Sequence, residues 1–441
     1  MATAITFLVA APFAHAAPDP AANVGAPTIS EGFSYPGADE VLAATGATLV
    51  RGDGGITYVP CDSPHQIAVW ARGINLTLHR LCFAAPGAAG YLAVTIPDTF
   101  RLQTYGRDLH ASLTTDGSSQ PIDVPHDTFV GVGEGANANS HSVLLELRVT
   151  GSSTSPSGGQ PTDPALAFAA KLNIGDGKRA CSGTLVNRYW VLSAASCFTD
   201  NPSDLTTVTA GAPKDKTTAT IGRTDLANTS AGKQTDIVEL VPRTDRDLVM
   251  ARLATPVDGI TPVTVATSAP TTGEILRIAG YGRTKSEWVP AKLHTTTLTA
   301  GTIAATGLDV ISPTNDTTLC EGDAGAPTLR DKNGTTELAA IASRSWQGNC
   351  LGTPATETRT GAYTTRTDDL AGWVQQVKAS RPGSRVFAVG GDNKAWTNEG
   401  SYTTNVWGTF DSVPGANSVK QITSVNVNGT IRLFAIGTDN Q

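Results

Sequence analysis

The stretch Cys320-Glu321-Gly322-Asp323-Ala324-Gly325-Ala326-Pro327 decides how this chain is read. A second stretch upstream, Trp190-Val191-Leu192-Ser193-Ala194-Ala195-Ser196-Cys197, is its companion. The first opens on a cysteine and the second closes on one. Their central residues are chemically poor. Alanine at 324 has no nucleophilic atom, and the hydroxyl of Ser196 does not accept a proton near neutral pH.

Around these stretches, 441 residues predict two or three domains. Short Val/Ile/Thr/Leu runs between turn residues predict an all-β fold class. A formal net charge of −7 argues against a nucleic-acid or anionic-membrane partner, and no apolar run is long enough to span a bilayer. Residues 4–14 are apolar and lead into Ala14-His15-Ala16. That reads as a secretory signal peptide over 1–16, although a basic leading segment is absent. The alternative is an Ala/Pro-rich tail. Export predicts a secreted chain in which the six cysteines can form disulfides. By counting alone, the pairing stays open. No cysteine has a Cys or His partner at zinc-finger spacing, so neither a metal nor a cofactor is expected.

The chain divides by composition. Residues 25–150 form a first unit, with strands predicted at Ile67–Trp70, Tyr91–Ile96 and Ser142–Val149. A small β-sandwich is expected there. His65, His79, His110, His126 and His141 lie in this unit without ligand spacing and read as solvated surface. Arg51-Gly52-Asp53 matches an adhesion tripeptide and reads as a plain turn between strands. Residues 151–163 are a Gly/Ser/Pro linker. A second unit covers 164–380 and should close with a helix: Thr367 as N-cap, Asp368 and Asp369 in the first turn, and Leu370, Trp373, Val374 and Val377 on one buried face. The tail, 384–441, repeats itself. Phe387-Ala388-Val389-Gly390-Gly391-Asp392-Asn393 recurs as Phe434-Ala435-Ile436-Gly437-Thr438-Asp439-Asn440.

The two opening stretches resemble motifs of the chymotrypsin-like serine peptidases. That family's nucleophile loop reads Gly-Asp-Ser-Gly-Gly-Pro and its histidine motif reads Trp-Val-Leu-Thr-Ala-Ala-His-Cys. Further stretches follow in the family's order. Cys181-Ser182-Gly183-Thr184-Leu185-Val186 resembles its Cys-Gly-Gly-Ser-Leu-Ile strand. Asp245-Arg246-Asp247-Leu248-Val249-Met250-Ala251-Arg252-Leu253 resembles its aspartate motif, Ala279-Gly280-Tyr281-Gly282 its Gly-Trp-Gly strand, Ser345-Trp346 its Ser-Trp-Gly segment, and Gly361-Ala362-Tyr363-Thr364 its Pro-Gly-Val-Tyr-Thr. The resemblance implies two six-stranded barrels with the site at their junction. It places Asp247 at the retained triad aspartate, Ser196 at the histidine and Ala324 at the serine, with Gly322 and Ala324 offering oxyanion N–H groups and Ser345 donating to Asp247. It also favours the disulfides Cys61–Cys82, Cys181–Cys197 and Cys320–Cys350 among 15 pairings.

The departures carry expectations of their own. Substrate-binding positions fall on Thr318 at the pocket base and on Ser345, Trp346 and Gln347, with the Gln347 side chain narrowing the pocket. Ala326 should crowd the turn behind position 324. No activation site precedes Pro164-Ala165-Leu166, so Asp323 must find a partner other than a new amino terminus, or stay solvated. His294 reads as a solvated strand residue remote from the cleft.

The tail resembles one blade of a tectonin or tachylectin-type β-propeller. The expected function is a secreted peptidase homologue without catalysis, a binding or scaffold module taking a protein or peptide in its degenerate cleft, with a glycan at the tail as a further partner. The alternatives are an active secreted serine endopeptidase and a carbohydrate-binding protein acting through the propeller.

Overall fold

The computed structural model describes residues 22–133, 141–150, 164–202, 204–314, 318–332, 334–380, 384–401, 406–407, 410–413, 415–427 and 430–439. The expected signal peptide over 1–16 and the linker over 151–163 lie outside the described residues.

Strands in the first unit alternate inward and outward side chains, as a sheet with one covered face requires. Leu92, Val94 and Ile96 of the strand Ala89–Ile96 are buried. One antiparallel sheet runs in the order Thr48–Gly52, Ala89–Ile96, Ser142–Thr150, Leu109–Thr115, Ser118–Val124. The other runs Thr57–Val59, Arg80–Ala84, Ile67–Ala71, Thr99–Thr104, Phe129–Gly131. Leu49, Leu92, Leu113 and Leu147 of the first sheet share a core with Ile67, Phe83 and Leu102 of the second, which makes a sandwich. The Cys61–Cys82 disulfide ties the loop after Thr57–Val59 to the neighbouring strand. His110, His126 and His141 are exposed, each paired with an aspartate. Arg51 and Gly52 end the strand Thr48–Gly52, and Asp53 accepts from the amides of Gly55 and Tyr91.

Residues beyond 164 build two six-stranded barrels. The first closes through Ala169–Ile174, Arg179–Asn187, Trp190–Ser193, Val249–Leu253, Lys233–Pro242 and Thr217–Ile221. The second runs Thr335–Ser345, Pro327–Lys332, Ile275–Gly280, His294–Ile303, Gly307–Ile311, Ala362–Arg366 and back to Thr335–Ser345. Their interiors merge into one apolar cluster, with Leu185, Val191 and Met250 from one barrel and Ile278, Leu329 and Ile341 from the other.

The closing helix is Ala371–Ser380, four residues later than its expected cap. Thr367 does not cap it, because its hydroxyl donates to the Leu338 carbonyl at 2.8 Å. Asp368 and Asp369 are taken by Arg366 and Arg246. The apolar face is as expected: Leu370, Val374 and Val377 are buried and Trp373 packs beside them. In the tail, each copy of the repeat ends a strand and enters a turn, the first after Ser384–Val389 and the second after Thr430–Gly437. The first turn is tied by Asp392, which accepts from the Lys394 amide and the Trp396 indole.

Candidate functional site

The strand Trp190–Ser193 ends in a 3-10 turn, Ala195–Phe198, that buries Ser196 completely. Ser196 turns both its donors onto one carboxylate. Its amide reaches Asp247 Oδ1 at 2.7 Å and its hydroxyl reaches Oδ2 at 2.9 Å. A third donor, the Ser343 hydroxyl, lies 2.6 Å from Oδ2. Burial pushes the Asp247 carboxyl above its usual value, and these three hydrogen bonds oppose the shift. The expected donor was Ser345, and this is corrected. Residues two apart on a strand face the same way, so the motif fits either serine. The register of Thr335–Ser345 sets Ser343 against Asp247. Ser345 instead meets the Thr318 hydroxyl at 3.1 Å and accepts from the Gln347 amide.

The loop Cys320–Pro327 lies beside this group. Its Cys320 is bonded to Cys350, and the Cys181–Cys197 disulfide fastens the neighbouring strand to the Ser196 turn. Ala324 is fully buried, its carbonyl accepts from the Ser182 amide at 2.8 Å, and Cys197 Sγ lies 3.8 Å from that carbonyl oxygen. Gly325 has φ +86°, and a Cβ there would sit 2.1 Å from the Ser182 carbonyl oxygen and 2.2 Å from Ser193 Oγ. Glycine is therefore required at that position. Ala326 does not crowd the turn as expected. It takes an ordinary backbone conformation, is fully buried, and hydrogen-bonds to the Asp323 carbonyl.

Asp323 is only 1% exposed, so it is not solvated. Its carboxylate accepts from the amides of Gly282 and Cys320, each at 3.0 Å. Two basic side chains approach it from the barrel walls. His294 Nε2 lies 3.7 Å away and donates to the Gly282 carbonyl at 2.9 Å. The buried Lys171 donates to the Tyr281 carbonyl at 3.2 Å. Burial lowers the Lys171 ammonium to about 8, with Glu31 and Asp323 resisting; burial also raises the Asp323 carboxyl, and His294, Lys171 and two amides resist. His294 is thus no remote surface residue, because its strand begins at the edge of this cluster. Lys171 went unread in the sequence. Its signal was a single lysine inside the apolar strand Ala169–Ile174.

The chain's own segment 22–36 crosses the face of this site. The Ile29 carbonyl accepts from the Gly322 amide at 2.7 Å and from the Ala324 amide at 3.3 Å. Pro27 accepts from the Ser345 amide at 3.0 Å, and Thr28 bridges antiparallel to Arg344. Glu31 and Ala180 exchange two backbone bonds of 2.9 Å. The Arg283 guanidinium holds the buried Glu31 carboxylate through contacts of 2.6 and 2.7 Å, and also contacts Glu321. At the upstream end, Ala22 and Asn23 donate backbone N–H groups to Asp309, and Asn23 accepts from the Trp346 indole. Gln347, with φ +63°, folds back so that its side-chain oxygen accepts from the Glu321 amide. That contact ties the Gln347 side chain to the loop Cys320–Pro327.

Residues 156–374 match the family model described as Trypsin. The chain carries a trypsin-family domain. Among curated proteins it is 26% identical over 251 residues to "Platelet-aggregating proteinase PA-BJ" of Bothrops jararaca, covering 50% of this chain and 94% of the relative. It is 29% identical over 135 residues to "Snake venom serine protease nikobin" of Vipera nikolskii, and 30% identical over 120 residues to "Vaa serine proteinase homolog 1" of Vipera ammodytes ammodytes. The chain spans 45% and 44% of these last two relatives. The trypsin-family domain therefore coincides with the two barrels. No helix among the described residues is long and apolar enough to cross a membrane.

Proposed function

We propose that this chain is a secreted, non-catalytic homologue of the trypsin-family peptidases and that its barrel pair works as a binding and scaffold module. One observation carries the reading. The group that faces Asp247 is Ser196, and it donates to the carboxylate through both its amide and its hydroxyl. Acyl transfer by this type of site needs a nucleophilic oxygen and a base that takes its proton. On this reading Ala324 and Ser196 hold those two positions and supply neither. Asp247 keeps the position of the orienting carboxylate, and the Gly322 and Ala324 amides keep that of an oxyanion site. Loss of either the serine or the histidine in a studied protease costs about 10⁶ in turnover, and loss of both costs little more.

Secretion is supported by the apolar leader of the sequence and by three disulfides. The cleft positions proposed to bind are Thr318, Ser345, Trp346 and Gln347, with a peptide as the ligand class. The test is a serine-directed fluorophosphonate label together with a small ester substrate. The intact chain should take up no label in the barrels and show no turnover. Stoichiometric labelling of any barrel serine would refute the reading.

A further inference from the structure

We propose that residues 27–31 are the resident ligand of this cleft: a tethered peptide, anchored by Ile29, that excludes other peptides until it is released. The proposal rests on reading the cleft as a peptide-binding one. Four independent features of the segment fit a bound ligand.

The first is convergence. Two amides of the Cys320–Pro327 loop point at one acceptor, the Ile29 carbonyl. The second is register. On one side of that carbonyl, Pro27 and Thr28 pair with Ser345 and Arg344; on the other, Glu31 pairs with Ala180. The segment thus bridges by its main chain to one strand of each barrel, at Arg344 and at Ala180, the kind of main-chain contact by which folded proteins hold extended peptides. The third is burial. Ile29 is 0% exposed and belongs to the same apolar cluster as Ala324 and Leu319. The fourth is a charge clamp, because the Glu31 carboxylate and the Arg283 guanidinium meet where both are nearly buried. A buried pair held by two hydrogen bonds fixes register.

The segment is tethered at both ends. Upstream, Ala22 and Asn23 are held by Asp309. Downstream, Ser34 bridges to Arg51 and the Tyr35 amide donates to the Val50 carbonyl, which joins the segment to the sandwich. A short tether gives an effective concentration of about millimolar. A free peptide with the same contacts must exceed that concentration to compete. The segment also persists, since Ala324 offers no atom to attack the Ile29 carbonyl. The cleft therefore latches the barrels to the sandwich.

Hydrogen–deuterium exchange on the full chain tests this, together with binding of a fluorescently labelled synthetic peptide spanning residues 25–36. In the wild type, fragments covering 26–32 and 320–326 should exchange slowly, and the labelled peptide should bind poorly. Ile29→Glu places a charge in the apolar anchor site. Exchange in both fragments should rise at least about 10-fold, and the labelled peptide should bind at least about 10-fold more tightly than to the wild type. Glu31→Ala, which removes the clamp without touching the apolar anchor, should shift both readouts the same way should the first variant fold poorly. Unprotected exchange at 26–32 in the wild type would overturn the proposal. So would equal binding to wild type and variant, or no binding to the released variant. A serine that takes the fluorophosphonate label would instead remove the non-catalytic reading, and would leave the exchange pattern as it is.

Discussion

The carbonyl oxygen of Ile29 lies 2.7 Å from the backbone nitrogen of Gly322, and the Ala324 amide points at the same oxygen. Two donors of a tight loop are thereby satisfied from within the chain. Left bare and buried, such groups would each carry a desolvation cost of about 1–3 kcal/mol. The segment and the loop stabilise each other, and anything that restores chemistry at position 324 must first contend with residue 29.

On the proposed non-catalytic reading, placing a serine at 324 and a histidine at 196 should not by itself produce turnover. Ala324→Ser with Ser196→His returns a nucleophile and a base beside Asp247, but the Ile29 carbonyl still fills the amide pair. Adding Ile29→Glu should raise kcat/KM on a small ester at least about 10-fold over the double variant, since the anchor is worth about 1.5–3 kcal/mol. Equal values for the double and triple variants would show that the segment does not obstruct the site.

Asp247 is held by two hydroxyls and an amide, and burial raises its pKa. Between that raised value and the usual 3.8, the folded state binds the proton more readily than the unfolded state. Wild-type stability from this group therefore grows as pH falls through the window and is lost as pH rises through it. Asp247→Asn should stabilise the domain by about 1–3 kcal/mol at pH 7, and the advantage should shrink on acidification. Urea unfolding across that range reads the difference.

Lys171 works in the opposite direction. Its ammonium titrates near 8 when folded against a usual 10.5. Between these values the unfolded state binds more protons, so stability rises with pH across the window. The cost of burying the charge is fully present below 8. Thermal unfolding should show this rise in the wild type, and Lys171→Met should remove it. A slope that survives the substitution would assign it to another group.

Arg283 bridges Glu31 and Glu321. Arg283→Met leaves the Glu31 carboxylate buried without its cation, a change that costs about 3–5 kcal/mol when one partner of such a pair is lost. The double variant Arg283→Met with Glu31→Leu should recover most of that loss. Chemical denaturation of the three proteins measures it.

The Cys320–Cys350 disulfide spans 30 residues and holds the loop that carries Gly322. Cys320→Ala with Cys350→Ala should lower stability by about 3–4 kcal/mol. It should also speed exchange at 26–32, because the loop amides that grip Ile29 are no longer fixed.

The residue order alone determined the β class, the barrel motifs and which side chains stand at 196, 247 and 324. Alternating apolar residues, glycines at fixed offsets and the identities at 196, 247 and 324 are local facts, and local facts survive in a string of letters. Even the helix face Leu370, Trp373, Val374 and Val377 was legible, although its start was not, because Thr367 found a better acceptor in Leu338 than in its own helix. What only the tertiary structure decided are the partnerships between distant segments. Ser343 and Ser345 share a strand period, and only register chooses which meets Asp247. Lys171, His294 and Asp323 gather from three separate elements, so no spacing announces them. The decisive case is Ile29. Nothing in Pro27-Thr28-Ile29-Ser30-Glu31 marks a ligand, since an extended backbone offers the same carbonyls whatever its sequence. A cleft with two convergent amides, an apolar anchor site and a buried arginine holds this segment because the chain's path brings it there.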